Sequence, residues 1–212
     1  MNAIWNLFER GGLVMWPLFS VGVFAFYLII FKLFLLYRIQ RTGRTTTISH
    51  LMTHYLNKER DLSKSPSSHS PINRLIHEGA RLIQLNVNES TFKETLQMRY
   101  ETERSKLDNG MSFIATLGEI MPMLGLLGTV SGMIHVFEAI TAQGTGDAQV
   151  LAGGISEALL TTQVGLAMAI PTLFCHTALL NQIDNIASQL KSAGEIVLNQ
   201  FYSHSNSNAK DS

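Results

Sequence analysis

Four of the polar side chains that interrupt two largely apolar stretches stand out. Thr129 sits in GLLGTVSG, and Glu157, Thr161 and Thr162 sit in GISEALLTT. A hydroxyl donates and accepts without carrying charge, so Thr129 and Thr162 suit the wall of a polar passage; the competing use is a bond to a carbonyl of the same helix. A carboxylate in hydrocarbon is costly, so Glu157 should face water, a partner or a proton path, with Thr161 bordering the same face. Three further titratable groups stand near the ends of the first stretch. Glu119 lies at its inner end and His135 and Glu138 toward its outer end, where they fit the headgroup level and where an imidazole can collect protons.

Other chemistries find no support. Cys175 is the only cysteine and has no His and Cys companions at metal spacing. GLLGTVSG lacks the Lys of a phosphate-binding loop, and neither a nucleophile elbow nor HExxH occurs. No enzyme activity, cofactor or metal is expected. Lys plus Arg and Asp plus Glu each number 16 in 212 residues, so the net charge is zero and a basic nucleic-acid footprint is missing. Charged residues make up only 15%, against roughly 25% in soluble domains, which points to a membrane.

Three apolar segments must position the polar residues. No Asp, Glu, Lys or Arg occurs in 11–31, 120–137 or 158–183, each about the length a spanning helix needs. The first is too long for a signal peptide, and its positive charges follow it. Lys32 is expected to snorkel toward the headgroups. Gly125, Thr129 and Gly132 fall on one face of the second segment; Gly154, Ala158, Thr162, Gly165 and Ala169 form a small-residue stripe on the third. Lys and Arg collect between the first two segments, from Arg38 to Lys106, while 141–154 has none, so the long block is expected inside and the short link outside.

Within the inner block, DLSKSPSSHSP at 61–71 reads as a connector. After it, Ile72, Leu75, Ile76, Gly79, Leu82 and Ile83 recur at helical spacing, and a second helix from about Ser90 carries Phe92, Leu96, Tyr100 and Leu107 on one side. Glu89 with Lys93 and Arg99 with Glu103 are i,i+4 pairs suited to a water-exposed face. Only Asp108, Asn109 and Gly110 separate this helix from the second span, which predicts one long helix leaving the membrane, frayed at Gly110. Past the third span, Ile183, Ile186, Leu190, Val197 and Phe201 continue a stripe inward.

The segment PMLGLLGTVSGMIHVFEAI, followed by LAGGISEALLTTQVGLAMAIP, resembles the signature of the MotA/TolQ/ExbB proton channel family. Three spans around one large inner block make it similar to the ExbB/TolQ branch. The resemblance implies a homo-oligomeric ring, a pentamer, in the bacterial inner membrane. It implies a single-span ExbD/TolR-like partner with an essential membrane aspartate inside the ring, and a TonB- or TolA-like protein that receives force. It also implies that Thr129, Glu157 and Thr162 face the pore, and that the energy source is the proton-motive force.

The expected fold is thus an all-α membrane protein with three transmembrane helices, two of them extended into the cytoplasm as long helices. The expected layout is a periplasmic N-terminus at 1–12, spans at 13–37, 111–140 and 154–181, and a cytoplasmic helical block at 38–110. A periplasmic loop at 141–153, a cytoplasmic helix at 182–202 and a disordered tail at 203–212 complete it. A non-conducting oligomeric scaffold that recruits a partner protein is the alternative function.

Overall fold

The computed structural model describes residues 11–43, 70–143 and 148–208. Most of the 61–71 connector, the first ten residues and Asp147 lie outside them. Five helices follow one another: α1 Gly12–Gly43, α2 Pro71–Gln84, α3 Glu89–Asp108, α4 Met111–Gln143 and α5 Ala148–Asn208. Gly12–Ile39, Glu89–Ala142 and Leu151–His204 are each long and apolar enough to cross a membrane.

The chain divides into two units. The first takes residues up to Lys32 together with Gly110–Leu179, so it contains the start of α1, all of α4 and the first half of α5. Its core is thin. Met15, Leu18 and Ala25 of α1 pack with Leu117 and Met121 of α4 and Ala169 of α5. Larger apolar side chains point away, among them Phe24, Tyr27, Leu126, Leu159, Ile170 and Phe174. A soluble protein does not present so continuous an apolar exterior, whereas lipid or neighbouring subunits can cover it. Lys32 departs from expectation: it is only 7% exposed, so its ammonium end lies within the protein and does not snorkel outward.

The second unit takes Leu33–Asn109 and the chain from Leu180 on. Here the inferred stripes meet. Leu75, Ile76, Ala80, Leu82 and Ile83 of α2 enclose a core with Phe92 and Leu96 of α3 and Leu190, Ala193, Val197 and Phe201 of α5. The Phe92 and Phe201 rings stack with centroids 4.2 Å apart. Pro71 occupies the first turn of α2, where its missing N–H is no loss, and the Asn88 side chain caps α3 by accepting from the Thr91 N–H at 2.9 Å.

Four further expectations change in the structure. The fraying expected at Gly110 is a full break: α3 ends at Asp108 and α4 begins at Met111, because Gly110 adopts φ +84°, a left-handed conformation that only glycine takes at no steric cost. The link at 141–153 is helical on both sides of 144–147, and α5 continues to Asn208, beyond the Ser203 boundary that composition suggested. Glu103, assigned to the exposed face of α3, is fully buried. Arg74 of α2 donates to its carboxylate at 2.5 Å, Lys106 does so at 3.0 Å, and Arg99 lies 3.8 Å away.

Candidate functional site

The polar residues gather on the seam between α4 and α5 in the first unit, and glycine sets how closely those helices run. A Cβ on Gly165 would lie 2.8 Å from the Met121 carbonyl oxygen, and one on Gly132 would lie 2.8 Å from that of Gly154. Gly128 faces the Thr161 side chain, and Gly125 faces the backbone of Thr161 and Thr162. The close row on α4 is therefore Gly125, Gly128 and Gly132, with Thr129 beside it. Backbone approach of this kind supplies the van der Waals contact that associates helices where the hydrophobic effect is weak.

The hydroxyls divide between the two uses the sequence left open. Thr162 donates across the seam to the Gly125 carbonyl at 3.1 Å, a bond between residues 37 positions apart. Thr161 is 0% exposed and donates within its helix, to the carbonyls of Ala158 at 2.9 Å and Glu157 at 3.1 Å. Thr129 is half-buried and donates to Leu126 at 2.6 Å. Thr172, which the sequence reading did not single out, is also buried and donates to Met168 at 2.8 Å. Extending the α5 small-residue stripe by one step beyond Gly165 and Ala169 leads to it.

Glu157 stands at the Gly154 end of the seam. Its side chain is 16% exposed, and the imidazole Nδ1 of His135, on α4, lies 3.5 Å from one carboxylate oxygen. From α1, Gly12 approaches the carboxylate so closely that a Cβ there would overlap it, and Gly12 itself has φ +62°. An acid is thus placed beside the first residue of a helix, where backbone N–H groups lack intrahelical partners and favour negative charge. Glu138 and Glu119 are exposed on α4, and neither joins the His135 and Glu157 pair. Among the described residues, no group of three His, Cys, Asp or Glu side chains is arranged to hold a metal ion.

This arrangement offers hydroxyls in a neutral wall and one carboxylate at its end. Ionisable groups of the second unit are shifted by their surroundings. There the hydrogen bond from Lys93 at 2.7 Å, joined by that of Tyr202 at 2.7 Å, holds the Glu89 carboxyl below the usual range, and the same contacts raise Lys93. Burial pushes the imidazole of His77 below its ordinary value, against the opposing charge of Glu78.

A family model described as the MotA/TolQ/ExbB proton channel family matches residues 67–192. A putative biopolymer transport protein ExbB homolog of Methanothermobacter thermautotrophicus is 26% identical over 187 residues, 87% of this chain and 65% of the relative. Tol-Pal system protein TolQ of Haemophilus influenzae is 34% identical over 114 residues, 51% of this chain and 50% of the relative. Biopolymer transport protein ExbB of Salmonella typhimurium is 31% identical over 150 residues, 68% of this chain and 62% of the relative. The chain thus spans between half and two thirds of the length of these relatives.

Proposed function

The chain belongs to the MotA/TolQ/ExbB proton channel family, on its ExbB/TolQ-like branch, and from that premise we propose that it is the ring-forming subunit of a proton-driven motor in a bacterial inner membrane. Five copies enclose the single-span helices of an ExbD/TolR-like partner, whose membrane carboxyl carries the proton. The N-terminus faces the periplasm, the C-terminus the cytoplasm, and α5 extends into the cytoplasm. Force passes to a TonB- or TolA-like envelope protein, for transport or envelope maintenance.

The observation that carries this reading is the α4 and α5 seam: two helix stretches without Asp, Glu, Lys or Arg over 120–137 and 158–183, joined through glycines and threonine hydroxyls, with Glu157 at one end. A wall of neutral dipoles lets a partner carboxyl alternate between its protonated and ionised forms, whereas fixed charge would trap one of them. Each proton crossing the membrane yields about 2.3 kcal/mol per 100 mV. Thr129 and Thr162 solvate the moving carboxyl in turn with their seam bonds, Thr161 holds the helix face that presents them, and Glu157 tunes proton uptake at the outer end. Glu119, His135 and Glu138 are accessory groups at the two ends.

Thr162→Val removes a hydrogen bond worth about 1 kcal/mol while keeping the shape. Proton flux through vesicles holding the ring and its partner is expected to fall several-fold, with Glu157→Ala also impaired and assembly by cross-linking unchanged. Full flux in both variants removes these assignments. Loss of output when the proton gradient is dissipated separates the motor from a passive scaffold, which keeps working.

A further inference from the structure

We infer that His135 is the proton-exchange partner of Glu157, passing protons from the outer water to a carboxylate that water reaches poorly. The inference rests on the proposed function above and adds a residue and a route to it. Its geometric basis is a difference in exposure across a short gap. The His135 side chain is 56% exposed and that of Glu157 16%, with Nδ1 of one 3.5 Å from the carboxylate oxygen of the other. The imidazole therefore has one nitrogen turned to the carboxylate and much of the ring left uncovered by its own chain.

The remaining neighbours leave this exchange to the pair. From α1, the residue at the carboxylate is Gly12, which brings backbone and no titratable side chain. On α5, Thr161 donates to the Glu157 backbone carbonyl, leaving the carboxylate oxygens to other partners. On α4, Glu138 follows His135 by three residues, one turn along the same side, and is exposed. Among the described residues, no Lys or Arg forms an ion pair with Glu157.

A proton cycle balances with these atoms alone. Neutral His135 accepts a proton from hydronium at Nε2 and becomes imidazolium. The Nδ1–H then gives its proton to the Glu157 carboxylate, leaving a neutral carboxylic acid and a neutral imidazole that carries its proton on Nε2. The imidazole returns to its starting tautomer when a water gives a proton to Nδ1 and the hydroxide so formed takes the one on Nε2, regenerating the water. Glu157 releases its proton inward, toward the partner's carboxyl. An imidazole suits the task because it can take a proton at one ring nitrogen and release one from the other.

The test uses the complete complex, with its single-span partner, in vesicles holding a pH-sensitive dye under a clamped potential, with outer pH varied from 5 to 8. Flux through the unaltered complex is expected to fall with an inflection as outer pH rises across this range. His135→Gln keeps a polar side chain but does not shuttle protons; its flux at pH 6 should be at least about 10-fold lower, a modest loss for a proton-transfer group, and the inflection should vanish. His135→Lys keeps a cation beside Glu157 and is expected to be as slow. Added imidazole should restore flux to His135→Ala.

Unaltered flux in His135→Lys makes the pair a static ion pair and overturns the inference. So does an inflection that survives in His135→Gln. If no variant assembles, the unaltered profile decides alone, and a missing inflection overturns the assignment. A complex that passes no protons at any pH defeats the proposed function and this inference with it, whereas a conducting complex indifferent to His135 defeats the inference only.

Discussion

Two sheltered acids, one in each unit, face opposite kinds of partner. Glu103 is fully buried between α2 and α3 and surrounded by Arg74, Arg99 and Lys106, whose charges are permanent at ordinary pH. Glu157 has the imidazole of His135 and the side-chain-free residue that opens α1. The surroundings follow the same division. The second unit wraps large apolar residues in a charged surface, while the first keeps a thin small-residue seam and turns its large apolar residues outward. Permanent cations suit an acid that fastens two helices. An imidazole suits the proton exchange proposed for Glu157.

The comparison is broken most strongly at Glu103. Glu103→Ala leaves Arg74 and Lys106 facing a cavity, and the expected cost is about 3 kcal/mol, the low end for a broken buried pair because Arg74 keeps contact with water. Chemical denaturation in detergent, with α2 and α3 followed by amide exchange, measures it. Glu157→Gln, by contrast, should leave that stability nearly unchanged. Equal destabilisation by both substitutions would erase the distinction between the two acids.

The seam comes next. Gly165→Val drives a branched side chain into the Met121 carbonyl, and overpacking of this kind costs about 1–3 kcal/mol. A lower melting temperature in detergent, with no change at the Phe92 and Phe201 stack, confines the damage to the first unit. The smallest effect belongs to the exposed Glu89 and Lys93 pair. Its hydrogen bonds hold Glu89 below the usual carboxylate range, so the unfolded chain takes up a proton more readily. The contribution is complete above the ordinary value of 4.5 and fades as pH falls through the lower folded value. Glu89→Gln should flatten that acid limb, read as amide exchange around Tyr202, and leave neutral-pH stability nearly unaltered.

Much of this was legible in periodicity. The positions spaced along α2, α3 and the later part of α5 became the core of the second unit because burial on one face of a helix repeats every 3.6 residues. The three apolar stretches were equally plain, since a spanning helix must be apolar along its whole length. Pairings between distant residues were not. Glu103 looked like one half of an i,i+4 surface pair, and its burial depends on Arg74, 29 residues away. Thr162 was seen as a polar residue, but its acceptor, the Gly125 carbonyl, is a backbone atom that composition does not mark. Gly110 was noted at the junction, yet its left-handed backbone, which separates α3 from α4, is a conformational choice that spacing does not reveal.

The core of the second unit has a consequence for the order in which the chain is made. Its α2 and α3 leave the ribosome well before Leu190, Val197 and Phe201, the residues that cover them. Two further bilayer segments must be synthesised in between, so the nascent protein carries a bare apolar face throughout that interval, a state that invites aggregation or chaperone capture. A message truncated after α4 would therefore yield a polypeptide with its membrane anchors largely present and its water-facing half never able to close.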